Sequence, residues 1–297
     1  MLFTVLLLFN ASIGAQAQIK KNIQLVFNPN EQFEFRNTLN TEVFKENQQL
    51  AIKQINHFTL ALHIIGKDTA GKVMIQAKYI KNGYKNEDIA KKEITGYNSD
   101  SPDEFINASR TEDERSQNQT SKELLEGMLH KPFTIYINER SGRVVVTGID
   151  TLVTEALKGL SISDPQYREG YGQGIRTVYN NEMMAGRLVS AFNYIPGKPV
   201  NIAAGWTKNV GVEGILFKVG YAIKSMQPDS ISILAEPSPL VNTKIHISTS
   251  RKGNLTIDAK TGLLIRSSIR NEIKPSPDNG RQFLNVLTEE NELVRIK

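Results

Sequence analysis

The chain has 297 residues, 39% of them hydrophobic and 23% charged, which is the balance of an ordinary globular protein of one large or two small domains. The net charge of +5 comes from scattered Lys and Arg that form no basic stripe among aromatics, so the chain carries no nucleic-acid-binding signature. With no cysteine it has neither a disulfide framework nor a lipid-bearing lipobox residue, and no segment is apolar for long enough to cross a bilayer as a helix.

Residues 1–17, MLFTVLLLFNASIGAQA, have the pattern of a secretory signal. An apolar run from Leu2 to Phe9 precedes Ala15-Gln16-Ala17, a small-x-small cleavage site, although the usual positive start is missing. Cleavage would leave a mature chain beginning at Gln18 and place it in the periplasm or outside the cell. Residues 18–160 then form a β-rich N-terminal half. Phe33, Phe35, Leu39 and Val43 share one face of a strand with period two, and polar residues occupy the other. A longer strand over residues 48–65 aligns Leu50, Ile52, Phe58, Leu60, Leu62 and Ile64, interrupted by Gln54 and Asn56. Its length calls for curvature or a bulge. Residues 67–71 turn it into a returning strand over 73–79.

Residues 99–122 are polar, charged and nearly free of apolar side chains, so they read as a mobile loop. A short helix over 123–129 follows. The hairpin of Phe133, Ile135 and Ile137 with residues 144–149 turns at Arg140-Ser141-Gly142. Another short helix over 151–157 is capped by Asp150. Residues 164–174 read as a flexible approach, although Gly170-x-Gly172-x-Gly174 is also spaced to cradle an anion at a helix start.

The second half, 161–297, is organised around one long helix over 175–195. Val178, Met184, Ala185, Leu188, Val189, Ala191, Phe192 and Ile195 fall in an arc roughly 160° wide, with Glu182, Arg187, Ser190 and Asn193 outside it. Such an arc suits a helix lying in a concave surface. Met183-Met184 reads as core filler or as the wall of a pliable apolar pocket. Pro196 ends the helix. A strand with the single tryptophan, Trp206, begins a meander that runs to the end of the chain, and the two halves echo one another in pattern. The expected fold is therefore mainly β: large curved antiparallel sheet, half-barrel-like, with one dominant helix packed in its concave face.

No catalytic signature accompanies this pattern. The four histidines do not converge, since His57 and His63 are about 20 Å apart along one strand. No zinc, calcium, phosphate-loop or nucleophile-elbow motif occurs. Glu289, Glu290 and Glu292 read as a solvated face. The expectation is a protein that is not an enzyme and needs no cofactor or metal.

Several short motifs together resemble an uncharacterised family of secreted proteins of Gram-negative bacteria, a domain of unknown function. They are Tyr97-Asn98-Ser99-Asp100, the hairpin from Gly142 to Gly148, Pro196-x-x-Pro199-Val200, Gly205-Trp206 and Asp258-x-x-Thr261-Gly262. The chain departs from that family at Ala204 and in lacking a lipid anchor. Its general shape is similar to periplasmic lipoprotein carriers of the LolA and LppX type, in which a curved sheet is closed by a helix. Asp68-Thr69-Ala70, Asp150-Thr151-Leu152 and Asp229-Ser230-Ile231 fit an acceptor pattern resembling that of periplasmic O-glycosylation. The family has no known site to carry over, and the first functional expectation is an apolar ligand, a lipid or acyl chain, held between sheet and helix by Phe58, Leu60, Leu62, Met184, Leu188, Phe192 and Trp206, unless these seven are ordinary dry core. The alternative is a structural or protein-interaction component of the cell envelope whose partner is another protein.

Overall fold

Period-two alternation puts one side of a strand in the core, and this chain repeats the pattern often enough to build nearly the whole molecule from strands. The computed structural model describes residues 20–45, 48–202, 205–212, 215–238, 240–242, 247–275 and 284–296. The expected signal segment lies outside them. The strands are β1 (Lys20–Lys21), β2 (Gln32–Phe44), β3 (Leu50–Lys67), β4 (Val73–Asp88), β5 (Glu93–Asn98), β6 (Pro132–Ile137), β7 (Val144–Thr147), β8 (Val200–Asn201), β9 (Trp206–Val212), β10 (Ile215–Met226), β11 (Ser230–Ser238), β12 (Leu240–Asn242), β13 (Ile247–Asp258), β14 (Leu264–Pro275) and β15 (Leu284–Arg295). Among the described residues the helices are α1 (Glu104–Ala108), α2 (Glu112–Met128), α3 (Ile149–Lys158), α4 (Pro165–Val178) and α5 (Asn181–Phe192).

The protein is mainly β. Thirteen strands form one antiparallel sheet in the order β7-β6-β4-β3-β2-β15-β14-β13-β11-β10-β9, with β5 added on β4 and β12 on β13. β1 and β8 pair separately. The path is a meander joined through the β15–β2 pair, where Leu293 faces Phe35 and Asn291 faces Asn37. Its two open ends, β7 and β9, are consecutive along the chain apart from α3–α5 and β8. The helical insert therefore leaves the sheet at one edge and re-enters at the other. The long β3 takes up its length through register shifts against β4 at Thr59/Leu60 and at Ile64/Gly66.

The segment after α5 lies between both open edges. Lys208 on β9 donates through Nζ to the carbonyls of Ser141, in the β6–β7 turn, and of Ile195, at 2.8 Å each. Trp206 Nε1 donates to Tyr194 O at 2.8 Å, and Tyr194 OH donates to Gly262 O at 2.6 Å. Inside the sheet a chain of rings runs from Phe133 through Tyr79, Phe58 and Phe35 to Phe192, with centroids 5.6 to 6.4 Å apart. Phe192 thus joins α5 to the centre of the sheet.

Three sequence expectations give way. Residues 99–122 are not a loop: they contain α1 and most of α2. Thr111 accepts from Glu114 N, and Glu114 accepts in return from Thr111 N, a capping box that starts α2. Asn118 on α2, 1% exposed, accepts from Gly96 N and donates to Phe105 O and Ser109 Oγ, so one amide ties α1 and α2 to β5. A polar segment is ordered because its buried polar group is satisfied.

The long helix is likewise two helices, and no single helix dominates. Asn180 breaks it. Its Oδ1 accepts from Met183 N to start α5, while its Nδ2 donates to the last carbonyls of α4, those of Arg176 and Thr177. The expected flexible approach is α4 itself, begun by Asp164 accepting from Gln166 N and Tyr167 N with Pro165 next. Gly170, Gly172 and Gly174 lie within α4 rather than before a helix, and Gly172 faces Leu157 of α3.

The third correction concerns charge. Glu289, 3% exposed, points into the sheet rather than to water, and Ser190 of α5 is buried beside it. Ser190 Oγ donates to Glu289 Oε2 at 2.5 Å and accepts from Arg251 Nη2 at 2.6 Å. Arg251, itself 1% exposed, also donates to Asn271 Oδ1 at 2.7 Å. β15 lies between β14 and β2, so every second side chain on it must face the interior.

Gly142 and Gly71 offer a matched test of the closure. Both end hairpin turns at positive φ, +69° and +74°. A Cβ on Gly142 would lie 1.9 Å from the Phe192 carbonyl oxygen, whereas one on Gly71 meets nothing within 4 Å. Gly71→Ala should cost about 1 kcal/mol, from backbone conformation alone. Gly142→Ala should cost at least about 2 kcal/mol more in chemical denaturation, because the turn must back away from α5. Equal costs would mean that the turn does not dock there.

Candidate functional site

The residues expected to line a site are brought together, but as packed interior. Phe58, Leu60, Leu62, Met184, Leu188 and Phe192 are each 5% exposed or less. Met184 receives the Tyr79 hydroxyl at 3.6 Å through its sulfur. Trp206 is half-buried at the β9 edge and stacks on Tyr221 with centroids 5.6 Å apart. Phe58 borders a hollow of about 20 Å³ that it shares with Tyr79, Tyr179 and Arg187.

A cavity of about 520 Å³, partly open to solvent, lies next to this core between β2, β3 and β4 on one side and α2, α4 and α5 on the other. Larger hollows of about 600 and 750 Å³ lie elsewhere on the molecule. The sheet contributes Leu39 and Thr41 from β2, Gln54 and Asn56 from β3, and Tyr84 from β4. These positions continue the inward faces that carry Phe35 and Phe58 deeper in. Gln54 and Asn56, which interrupt the apolar face of β3 in the sequence, are therefore the cavity floor. Met183 lines the cavity while its neighbour Met184 belongs to the core, so each of the two readings of the methionine pair applies to one residue.

The helices are positioned by specific bonds. Tyr84 OH and Ser121 Oγ are 2.7 Å apart, and Asn82 Nδ2 donates to Leu125 O, which holds α2 over β4. α4 forms the outer wall. It presents Tyr167, Tyr171, Ile175 and Val178, spaced 4, 4 and 3 residues apart and hence on one helical face, to the cavity. Gly172 is its only buried residue, while Tyr167 is 58% and Val178 42% exposed. Tyr167 and Tyr171 stack with centroids 6.4 Å apart. α4 is thus a thin cover, tied to the segment before it by Arg168 donating to the carbonyls of Leu160 and Ile162 and packed at Gly172 against Leu157.

Arg187 of α5 projects into the same space, over the ring of Tyr179 at 5.3 Å. It was expected on the exposed side of a single long helix. Instead it is half-buried in the cavity wall, among residues of α2, α4 and the sheet. Burial raises the phenols of Tyr84 and Tyr171 above the ordinary tyrosine value, so both remain neutral donors near neutral pH. No Asp, Glu or His is among the described residues lining the cavity. No group of three or more metal-ligating side chains occurs among the described residues, and His246 lies outside them.

Residues 92–264 match the model of DUF6263, a family of unknown function. The matched span contains all five helices described above. No curated protein matches the chain. Among solved structures it has a distant likeness to DynF from the dynemicin biosynthesis pathway of Micromonospora chersina. That likeness is 7% identical, covers 93% of this chain and 84% of the other, and has a TM-score of 0.21. A second is a candidate exported protein with a YmcC-like fold from Bacteroides fragilis NCTC 9343, 8% identical over 90% and 98% of the two chains, with a TM-score of 0.16. Neither superposes closely enough to carry an argument.

The cavity phenols predict a pH dependence. A tyrosine whose folded-state value is raised contributes stability below the ordinary value of about 10, and loses it as pH climbs beyond that point. Tyr84→Phe/Tyr171→Phe should therefore lose stability less steeply than wild type above about pH 10 in urea titrations. Identical slopes would show that these two hydroxyls are not buried in solution.

Proposed function

The chain belongs to the DUF6263 family, whose function is unknown, and for it we propose the role of a binding protein that holds a small, largely apolar ligand between the sheet and α2, α4 and α5. One observation carries the reading: a cavity of about 520 Å³, within the size range of small-molecule sites, is walled by four tyrosines and aliphatic side chains and covered by one helix with a single buried residue. The wall composition favours binding over catalysis, since its described residues include no carboxylate or imidazole to move a proton. We further propose that the protein acts in the periplasm or outside the cell. The support is the apolar run and Ala15-Gln16-Ala17 site at the start of the sequence.

Titration with the neutral fluorescent probe N-phenyl-1-naphthylamine tests the binding reading. Saturable uptake at one site is expected. Ile175→Trp, which places an indole in the cavity from α4, should weaken uptake by about tenfold or more while leaving thermal unfolding close to wild type. Phe192→Ala should instead cost about 3–5 kcal/mol of stability, as a core truncation does. A wild-type protein that takes up no probe, or uptake indifferent to Ile175→Trp, would remove the cavity as the site.

A further inference from the structure

We infer that the ligand is an anionic amphiphile, an apolar carboxylic acid whose head group pairs with Arg187; this rests on the cavity being a ligand site and names the class of ligand it takes. Arg187 is the only ionised side chain at neutral pH among the described lining residues. Its bonding is far from complete. The guanidinium has five donors, yet its hydrogen bond to protein is a marginal one to Val178 O at 3.5 Å, beside the ring of Tyr179. Four other arginines are matched to carboxylates, Arg36 to Glu34 and Glu292, Arg270 to Glu272, Arg295 to Glu31 and the buried Arg251 to Glu289, and of the arginines without such a match Arg187 is the one that lines this cavity. Arg187 has no ion-pair partner among the described residues, although it is half-buried in the cavity wall.

The surroundings fit a carboxylate better than a neutral polar group. The planar fork of Arg presents two parallel donors to a carboxylate, and the guanidinium carbon lies over the face of Tyr179 at 5.3 Å. Neutral phenols at Tyr84 and Tyr171 and the amides of Gln54 and Asn56 add uncharged donors nearby without adding a competing negative charge. Leu39, Leu124, Leu125, Ile175, Val178 and Met183 supply the apolar part of the wall. One cation, several neutral donors and an apolar remainder match a molecule with one negative end and an apolar body.

Displacement of bound N-phenyl-1-naphthylamine by dodecanoate and by dodecan-1-ol tests this with chains of equal length. At neutral pH and low salt, dodecanoate should displace the probe at a concentration lower by about tenfold or more. Within Arg187→Met and Arg187→Gln the ratio should fall to about twofold or less, and Arg187→Lys should retain part of it. Because the ratio is taken within each variant, a change in probe affinity cancels, and two substitutions guard against one failing to fold. If the wild type takes up the probe but both competitors act equally, or if the preference survives loss of the guanidinium, the assignment to a carboxylic acid is overturned and the binding site stands. If no probe binds, both fail.

Discussion

The structure depends on how the gap between β7 and β9 is closed. A meander of this length has two open edges, and exposed edges invite pairing with other chains. Here the two edges are brought to a common segment, residues 192–195. The Lys208 ammonium reaches from one edge to a carbonyl of the other and to one on the intervening segment. Burial lowers Lys208 to about 8, and the two carbonyls work against that cost by accepting from the charged form. The close approach of Gly142 to Phe192 and the bond from Trp206 to Tyr194 act at the same seam. With the seam closed, alternate residues of eleven strands face one interior. That explains why Glu289, Arg251, Asn271 and Asn291 are buried and must satisfy one another.

The end of the molecule next to that seam is built from repeated turn chemistry. Asn138 Oδ1 accepts from Arg140 N and Ser141 N, and Gly142 N donates back to Asn138 O. Asp258 Oδ1 accepts from Lys260 N and Thr261 N, and Gly262 N donates back to Asp258 O. The segment before β2 runs between these turns, with Leu25 N donating to Glu139 O and Val26 N to Thr261 O. Gly142 meets Phe192 O closely and Gly262 meets Gln24 O closely, so the two glycines serve the same purpose at two places. Each of the two turns thus receives a crossing segment.

The cavity lies where the interior changes character. Going along β3 from Leu62 and Leu60 through Phe58, the inward side chains are apolar and packed. At Asn56 and Gln54 they become polar and line open space. β2 makes the same change from Phe35 to Thr41. An interior that was apolar throughout would be filled by side chains. Short polar residues there, opposite helices held off by tyrosines, leave a volume with both apolar and hydrogen-bonding walls. The buried Asn118 and the Tyr84–Ser121 contact hold α2 at that distance.

Strand content, strand faces and turns were legible from local periodicity, because a half-buried strand writes its burial into alternate residues. Phe58, Leu60 and Leu62 were legible as inward-facing from that alternation, and Leu188 and Phe192 from helical spacing, although all five were expected to line a site rather than to be packed core. Some signals were present but read too weakly: the Thr111–Glu114 capping box, Asp164-Pro165 before α4, and Asn180 as a cap inside an apolar arc. Each is a polar residue whose effect on helix boundaries competes with hydrophobic periodicity. The floor of the cavity was visible only as the unexplained pair Gln54 and Asn56. What only the tertiary structure decided is which faces meet. Pairing β15 with β2 turned Glu289 inward, packing of α5 against strands on a second side buried Ser190 beside Glu289 and Arg251 and put Arg187 in the cavity wall, and neither follows from spacing along the chain. Periodicity reports whether a residue is buried on its own element, whereas a site is set by contacts between elements far apart in sequence.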